Sequence, residues 1–136
     1  MGKWIVVVRD KFDAAHRIFG YEGKCSEWHG HTWKVEVGVE VDYLDELGMG
    51  VDFVELKKML KGVLEKFDHA ALIAVRDWAE WRFGKYAVLT PNPTAEVIAS
   101  EIYGRMRSKL LDANKDVKLV FVRVWESDNA YVEYKE

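Results

Sequence analysis

Residues 31–42 read HTWKVEVGVEVD, and their alternation decides the fold class. Trp33, Val35, Val37, Val39 and Val41 fall on one side of an extended chain, while Lys34, Glu36, Glu40 and Asp42 fall on the other. A period of two in residues rich in β-branched side chains marks a strand with one face covered. Immediately upstream, residues 3–16, KWIVVVRDKFDAAH, have the composition of a second long strand. Downstream, FVELKKMLKGVLEKF at 53–67 sets Leu56, Met59, Leu60, Val63, Leu64 and Phe67 at helical spacing, with Asp52 positioned to cap the start. TAEVIASEIYGRMRSKLL, from Thr94, repeats the helical pattern with Val97, Ile98, Ile102 and Met106, entered through Pro93 and capped by Thr94. VKLVFVRVWE and AYVEYK close the chain as a hairpin around the short turn SDN. The order ββααββ predicts an α+β fold, a four-stranded antiparallel sheet with two helices on one face. Residues 74–91, AVRDWAEWRFGKYAVLTP, fit neither period. Their Trp78, Trp81, Phe83 and Tyr86 leave three readings open: a lid, an oligomer contact or a short extra helix.

The 136 residues suffice for one domain, expected over 1–136, with a core that needs no disulfide or structural metal. Hydrophobic residues make up 49% and charged residues 32%, so the chain is expected to fold rather than stay disordered. A net charge of −3 without a basic stripe argues against direct nucleic-acid binding. No apolar run approaches the roughly 18 residues that span a bilayer, and MGKWIVVVRD meets charge too early for a signal peptide. The single Cys25 has no intrachain partner, which points to a cytoplasmic location and invites a chemical role.

CSEWHGH, residues 25–31, concentrates that cysteine and two of the four histidines in seven positions. If the first two strands form a hairpin, the end of one lies beside the start of the other, bringing His16 to His29 and His31. The spacing of His29 and His31 turns both imidazoles to one face, and His31 continues the apolar row from Trp33 to Val41. His16 has the parity of Trp4, Val6, Val8, Phe12 and Ala14, although Asp10 interrupts that row. Three neutral imidazoles at one sheltered point suit Zn²⁺ with an open fourth position. Three separately hydrogen-bonded histidines are the alternative. Cys25, in the loop between the strand ends, reads equally as a fourth ligand or as a thiolate nucleophile or base.

FDHAAL puts Asp68 and His69 at the close of the first helix. There the histidine either complements the helix dipole or, with the carboxylate beside it, serves proton transfer. Glu126 lies at the edge of a face formed by Val120, Val122 and Val124, so its carboxylate needs a partner. An arginine or the N–H edge of a guanine-like heterocycle would serve. Glu96, near the start of the second helix, has a simple reading as an acid complementing the helix dipole.

Together, FDAAHR, CSEWHGH, GVDFVELK, FDHAAL, NPTAEVIA and VWESDNAYVEY resemble, in order, the 6-pyruvoyltetrahydropterin synthase and 6-carboxytetrahydropterin synthase family over nearly the whole chain. The resemblance implies the T-fold, whose sheets join into an oligomeric barrel, with a homohexamer and active sites between subunits. It implies zinc held by His16, His29 and His31, with Cys25 as the proton-abstracting base and Asp68 with His69 as a second proton-transfer centre. It also implies a pterin anchored by Glu126, with Thr94 and Glu96 adding to the pocket. The implied activity is a lyase acting on 7,8-dihydroneopterin triphosphate with loss of triphosphate.

The three-residue gap between Cys25 and His29 resembles the 6-carboxy-5,6,7,8-tetrahydropterin synthase branch, which feeds 7-deazaguanine tRNA nucleosides. Formation of 6-pyruvoyltetrahydropterin is an alternative product. Glu27 opens another, side-chain cleavage to 6-hydroxymethyl-7,8-dihydropterin, and a T-fold protein that binds pterin or purine without turnover is a further possibility. Ile73 and the longer 74–91 segment depart from the family pattern.

Overall fold

The computed structural model describes residues 2–78, 81 and 84–136. Strand β1, Trp4–His16, pairs antiparallel with β2, His29–Val41, over thirteen residue pairs from Trp4↔Val41 to His16↔His29. The β2 row Trp33, Val35, Val37 and Val39 is fully buried, and Val8, Phe12, Ala14 and His16 join it from β1. These residues meet helix α1, Phe53–Leu64, and helix α3, Ala95–Asp112. Leu56, Leu60, Val63 and Leu64 form the buried stripe of α1, and Ile98, Ile102, Met106 and Leu110 lie on that of α3. Both predicted caps form: Asp52 accepts from the Val54 amide and Thr94 from the Val97 amide.

Strand β5, Lys118–Ser127, extends the sheet beside β2, and β6, Ala130–Tyr134, returns from it. The β2–β5 register shifts between Gly38 and Val39, so Leu119 rather than Val120 turns fully into the core. Gly38 is required there, because a Cβ would come within 2.3 Å of the Phe121 ring. On the sheet face away from the helices, Glu36 is only 7% exposed despite its charge. Its carboxylate accepts from Trp125 Nε1 at 2.8 Å and from Arg9 at 3.3 Å, which satisfies it.

The sheet has six strands rather than the expected four, in the order β4-β3-β1-β2-β5-β6. The added strands are β3, Ala70–Ile73, and β4, Tyr86–Val88, both parallel. All four residues of β3 are buried, so no alternation betrays the strand. Helix α1 also ends three residues before Phe67, and His69 stands beyond it with φ 58° instead of in its last turn. The 74–91 segment contains β4 and a short helix, α2, Val75–Trp78, which meets the extra-helix expectation; Phe83 lies outside the described residues. Among the described residues, no helix is long and apolar enough to cross a membrane.

Candidate metal centre

The β1–β2 register makes His16 and His29 direct partners and sets His31 opposite Ala14, so all three imidazoles share the helix-covered face. Their ring centroids lie 4.6, 5.2 and 4.8 Å apart. Trp33 forms a floor beneath them, edge-on to His16 at 4.8 Å, with its indole N–H donating to the Ala14 carbonyl. His16 is 1% exposed, as expected for a group at the end of a core row.

Two backbone carbonyls determine the ring tautomers. Pro93 O lies 2.7 Å from His16 Nδ1, and Glu27 O lies 2.7 Å from His29 Nδ1. A carbonyl only accepts, so each Nδ1 carries the proton and, in the neutral ring, each Nε2 presents its lone pair. Burial holds His16 and His31 below the ordinary histidine range, with the Glu126 carboxylate opposing that shift. Both are therefore neutral near pH 7. The Nε2 atoms of His16 and His31 are buried and lack hydrogen-bond partners. The alternative of three separately hydrogen-bonded histidines thus leaves the buried Nε2 of His16 orphaned.

Glu126 joins this group. Its Oε1 lies 3.1 Å from His31 Nε2 and 4.0 Å from His16 Nε2. One ligating atom from each of His16, His29, His31 and Glu126 lies within 4.8 Å of all the others. Three imidazole nitrogens and a carboxylate oxygen form a donor set suited to a divalent transition metal. Cys25 is outside this set; it is half-buried in a single 3-10 turn, Lys24–Ser26, and its carbonyl accepts from the Ile18 amide at 2.7 Å. Glu27 is exposed, and its backbone carbonyl orients His29.

Asp68 and His69 form the expected pair, with Oδ1 and Nδ1 3.1 Å apart. The Asp13 amide donates to the Asp68 carboxylate at 3.0 Å, and this bond is the main reason the carboxyl sits below its usual range. Asp13, Asp68 and His69 form a second cluster. The pairing Ala14↔Ala70 puts His69 in line with Asp13, whose parity on β1 is opposite to that of His16. His69 lines a cleft of about 650 Å³ with Asp13, His31, Thr32, Trp81 and Lys85. Among the described residues, this pair and the three-histidine cluster form two separate groups.

Thr94 caps α3, and Glu96 is exposed in its first turn. The neighbouring Pro93 carbonyl holds His16, which sets the start of α3 beside the metal cluster. Sequence reasoning missed the roles of Pro93, which acts through its backbone carbonyl, and of Asp13, whose amide holds Asp68 and whose carboxylate joins the second cluster. Only the parity of Asp13, opposite to that of His16, pointed to the other face.

The model of the 6-pyruvoyl tetrahydropterin synthase family matches residues 5–136. A 6-carboxy-5,6,7,8-tetrahydropterin synthase from Rickettsia bellii is 37% identical, with 92% of this chain and 95% of that protein aligned. A dihydroneopterin monophosphate aldolase from Pyrococcus furiosus is 36% identical over 94% of each chain. The solved 6-pyruvoyl tetrahydropterin synthase of Caenorhabditis elegans superposes with a TM-score of 0.76 at 23% identity, covering 100% of this chain and 97% of that one. With the family pattern matched from the first strand to the last, and a T-fold neighbour superposing along the whole chain, this chain belongs to the 6-pyruvoyl tetrahydropterin synthase family of lyases.

Proposed function

We propose that this chain is a zinc-dependent 6-carboxy-5,6,7,8-tetrahydropterin synthase acting on 7,8-dihydroneopterin triphosphate with loss of triphosphate, in the route to 7-deazaguanine tRNA nucleosides. The observation that carries the zinc reading is the convergence of His16, His29 and His31, with a buried His16 Nε2 that has no hydrogen-bond partner. Zinc bound there would act as a Lewis acid toward the substrate's side-chain hydroxyls and stabilise charge developing on oxygen. Cys25, in the loop that joins His16 to His29, takes the proton from the neighbouring C–H. Asp68 keeps the proton on His69 Nδ1, so His69 Nε2 handles the second proton transfer. Glu126 accepts from the N–H edge of the pterin, with Thr94 and Glu96 completing the pocket. Its nearness to the histidines favours a pterin seated against the metal centre.

The grouping of Asp68 and His69 apart from the His16, His29, His31 and Glu126 cluster supports a site completed by a neighbouring subunit, in a homohexamer. Two further features favour assembly. Among the described residues, the outer edges of β4 and β6 are unpaired, and Ile5 and Val7 are exposed on the uncovered face. A cytoplasmic setting accords with Cys25 as a free thiol.

A second reading rests on the aldolase relative from Pyrococcus furiosus, at nearly the same identity as the carboxy-synthase relative. Exposed Glu27, two residues before His29, is the acid–base group available for side-chain cleavage to 6-hydroxymethyl-7,8-dihydropterin. Incubating zinc-loaded protein with 7,8-dihydroneopterin triphosphate and weighing the pterin product by mass spectrometry separates the readings. The 6-carboxy product, lost in Cys25→Ala, is expected. The 6-hydroxymethyl product, lost in Glu27→Ala but not in Cys25→Ala, would establish the second reading. No turnover by the metal-loaded protein would refute both.

A further inference from the structure

The loop that leaves β1 after His16 and returns at His29 carries Cys25 and Glu27, yet its only regular structure is the 3-10 turn Lys24–Ser26. Such a loop is held by its surroundings, and here those come from residues 74–92. Asp77 of α2 is only 9% exposed. It receives both Nε of Arg17, at 3.1 Å, and Nη2 of the same guanidinium, a bidentate fork. The Arg17 guanidinium lies 5.5 Å from the centroid of Phe19 and 5.6 Å from that of Trp28. Phe19 and Trp28 stand near the two ends of the loop, so one cation bridges its entry and exit.

Neighbouring contacts repeat the pattern. Arg76 covers Phe19 at 5.1 Å, Trp81 packs on Trp28 at 5.4 Å, and the Asn92 side chain pairs with both the N–H and the C=O of Phe19. Arg17 directly follows His16, and Trp28 directly precedes His29, so the bracket grips the loop next to two residues of the metal cluster.

We propose that Asp77, acting through Arg17, is a positioning residue that sets the Cys25 loop joining His16 to His29, with Arg76, Trp81 and Asn92 as its scaffold. The inference rests on the catalytic role given to Cys25 above. Loss of the Asp77 charge removes the fork that fixes the guanidinium against Phe19 and Trp28, while leaving His16 and its Pro93 carbonyl in place. A displacement of about 1 Å at a reacting group costs about 100-fold in rate.

The test compares zinc-loaded wild type, Asp77→Asn, Asp77→Glu and Arg17→Lys by metal content, steady-state kinetics and backbone hydrogen exchange across 17–28. For Asp77→Asn the expected result is full metal content, kcat lowered by about 10- to 100-fold with KM little changed, and faster exchange confined to 17–28. Asp77→Glu, which keeps a carboxylate, is expected to recover most of both losses. Wild-type kcat and wild-type exchange in Asp77→Asn would overturn the proposal. If Asp77→Asn does not fold, Arg17→Lys decides: it keeps the charge but lacks the fork, and must show the same faster exchange and lower kcat, whereas wild-type behaviour overturns the proposal. If the wild type itself shows no turnover, the functional reading falls, and the exchange comparison alone still decides whether Asp77 orders the loop.

Discussion

His16 shows how a single side chain acquires a chemical state from its setting. It is a core residue by parity, a neutral base by burial and an Nε2 lone-pair donor by its bond to Pro93. Replacing it with Ala is expected to lower zinc affinity by more than the roughly 10–100-fold typical of losing an outer partner of a ligand, measurable by competition with a chromogenic chelator. Cys25→Ala, outside the ligand set, should keep its zinc and lose turnover in the same preparations. Without metal, the buried neutral histidines also make stability depend on pH. Their folded values lie below the unfolded 6.5, so their contribution is complete above that pH and is lost as pH falls through the folded values. Asp68, depressed from 3.8, acts only in a more acid window. Thermal melts of metal-free protein should therefore give a lower Tm at pH 5.5 than at 7.5, a difference reduced in His16→Gln.

At the scale of elements, the β1–β2 hairpin serves at once as core and as metal support. Trp33 is fully buried, stacks on Phe12 with an interplanar angle of 7° and lies edge-on to His16 and His31. Trp33→Ala is expected to cost about 3–5 kcal/mol in urea unfolding, because the cavity opens between the sheet and the metal cluster. The two long strands and two long helices were legible because each is amphipathic and long enough for its period to repeat. Strands β3 and β4 were not. Ala70–Ile73 is buried on both faces and four residues long, and β4 is shorter still, so neither offers a period to count. The histidine cluster was legible for the same reason as its hairpin, since strand parity and antiparallel return together dictate where 16, 29 and 31 meet. Glu126 was correctly assigned to the covered face, but its distance from the histidines depends on how β5 lies against β2, bulge included.

For the whole molecule, the decisive fact is that two reactive groups form separate clusters among the described residues. The histidine cluster and Cys25 are proposed to work with an Asp68–His69 pair contributed by another subunit. Mixed oligomers formed from inactive Cys25→Ala and inactive His69→Ala chains should then recover activity, because some interfaces combine an intact thiol with an intact histidine. Unfolding and refolding the two variants together, followed by an activity assay and native mass spectrometry, tests this. No recovery in mixed oligomers of confirmed composition would argue for sites built within one chain.

By itself, the sequence determined the α+β class, the long amphipathic elements, their caps, and the meeting of His16, His29 and His31, because these follow from local periods and one antiparallel return. Tertiary structure alone decided the parallel strands beside β1, the carbonyls that orient the imidazoles, the Arg17–Asp77 fork, and the separation of His69 from the metal cluster. These depend on which distant backbone and side-chain atoms are brought within a few ångströms, a relation that no local pattern of residue types encodes.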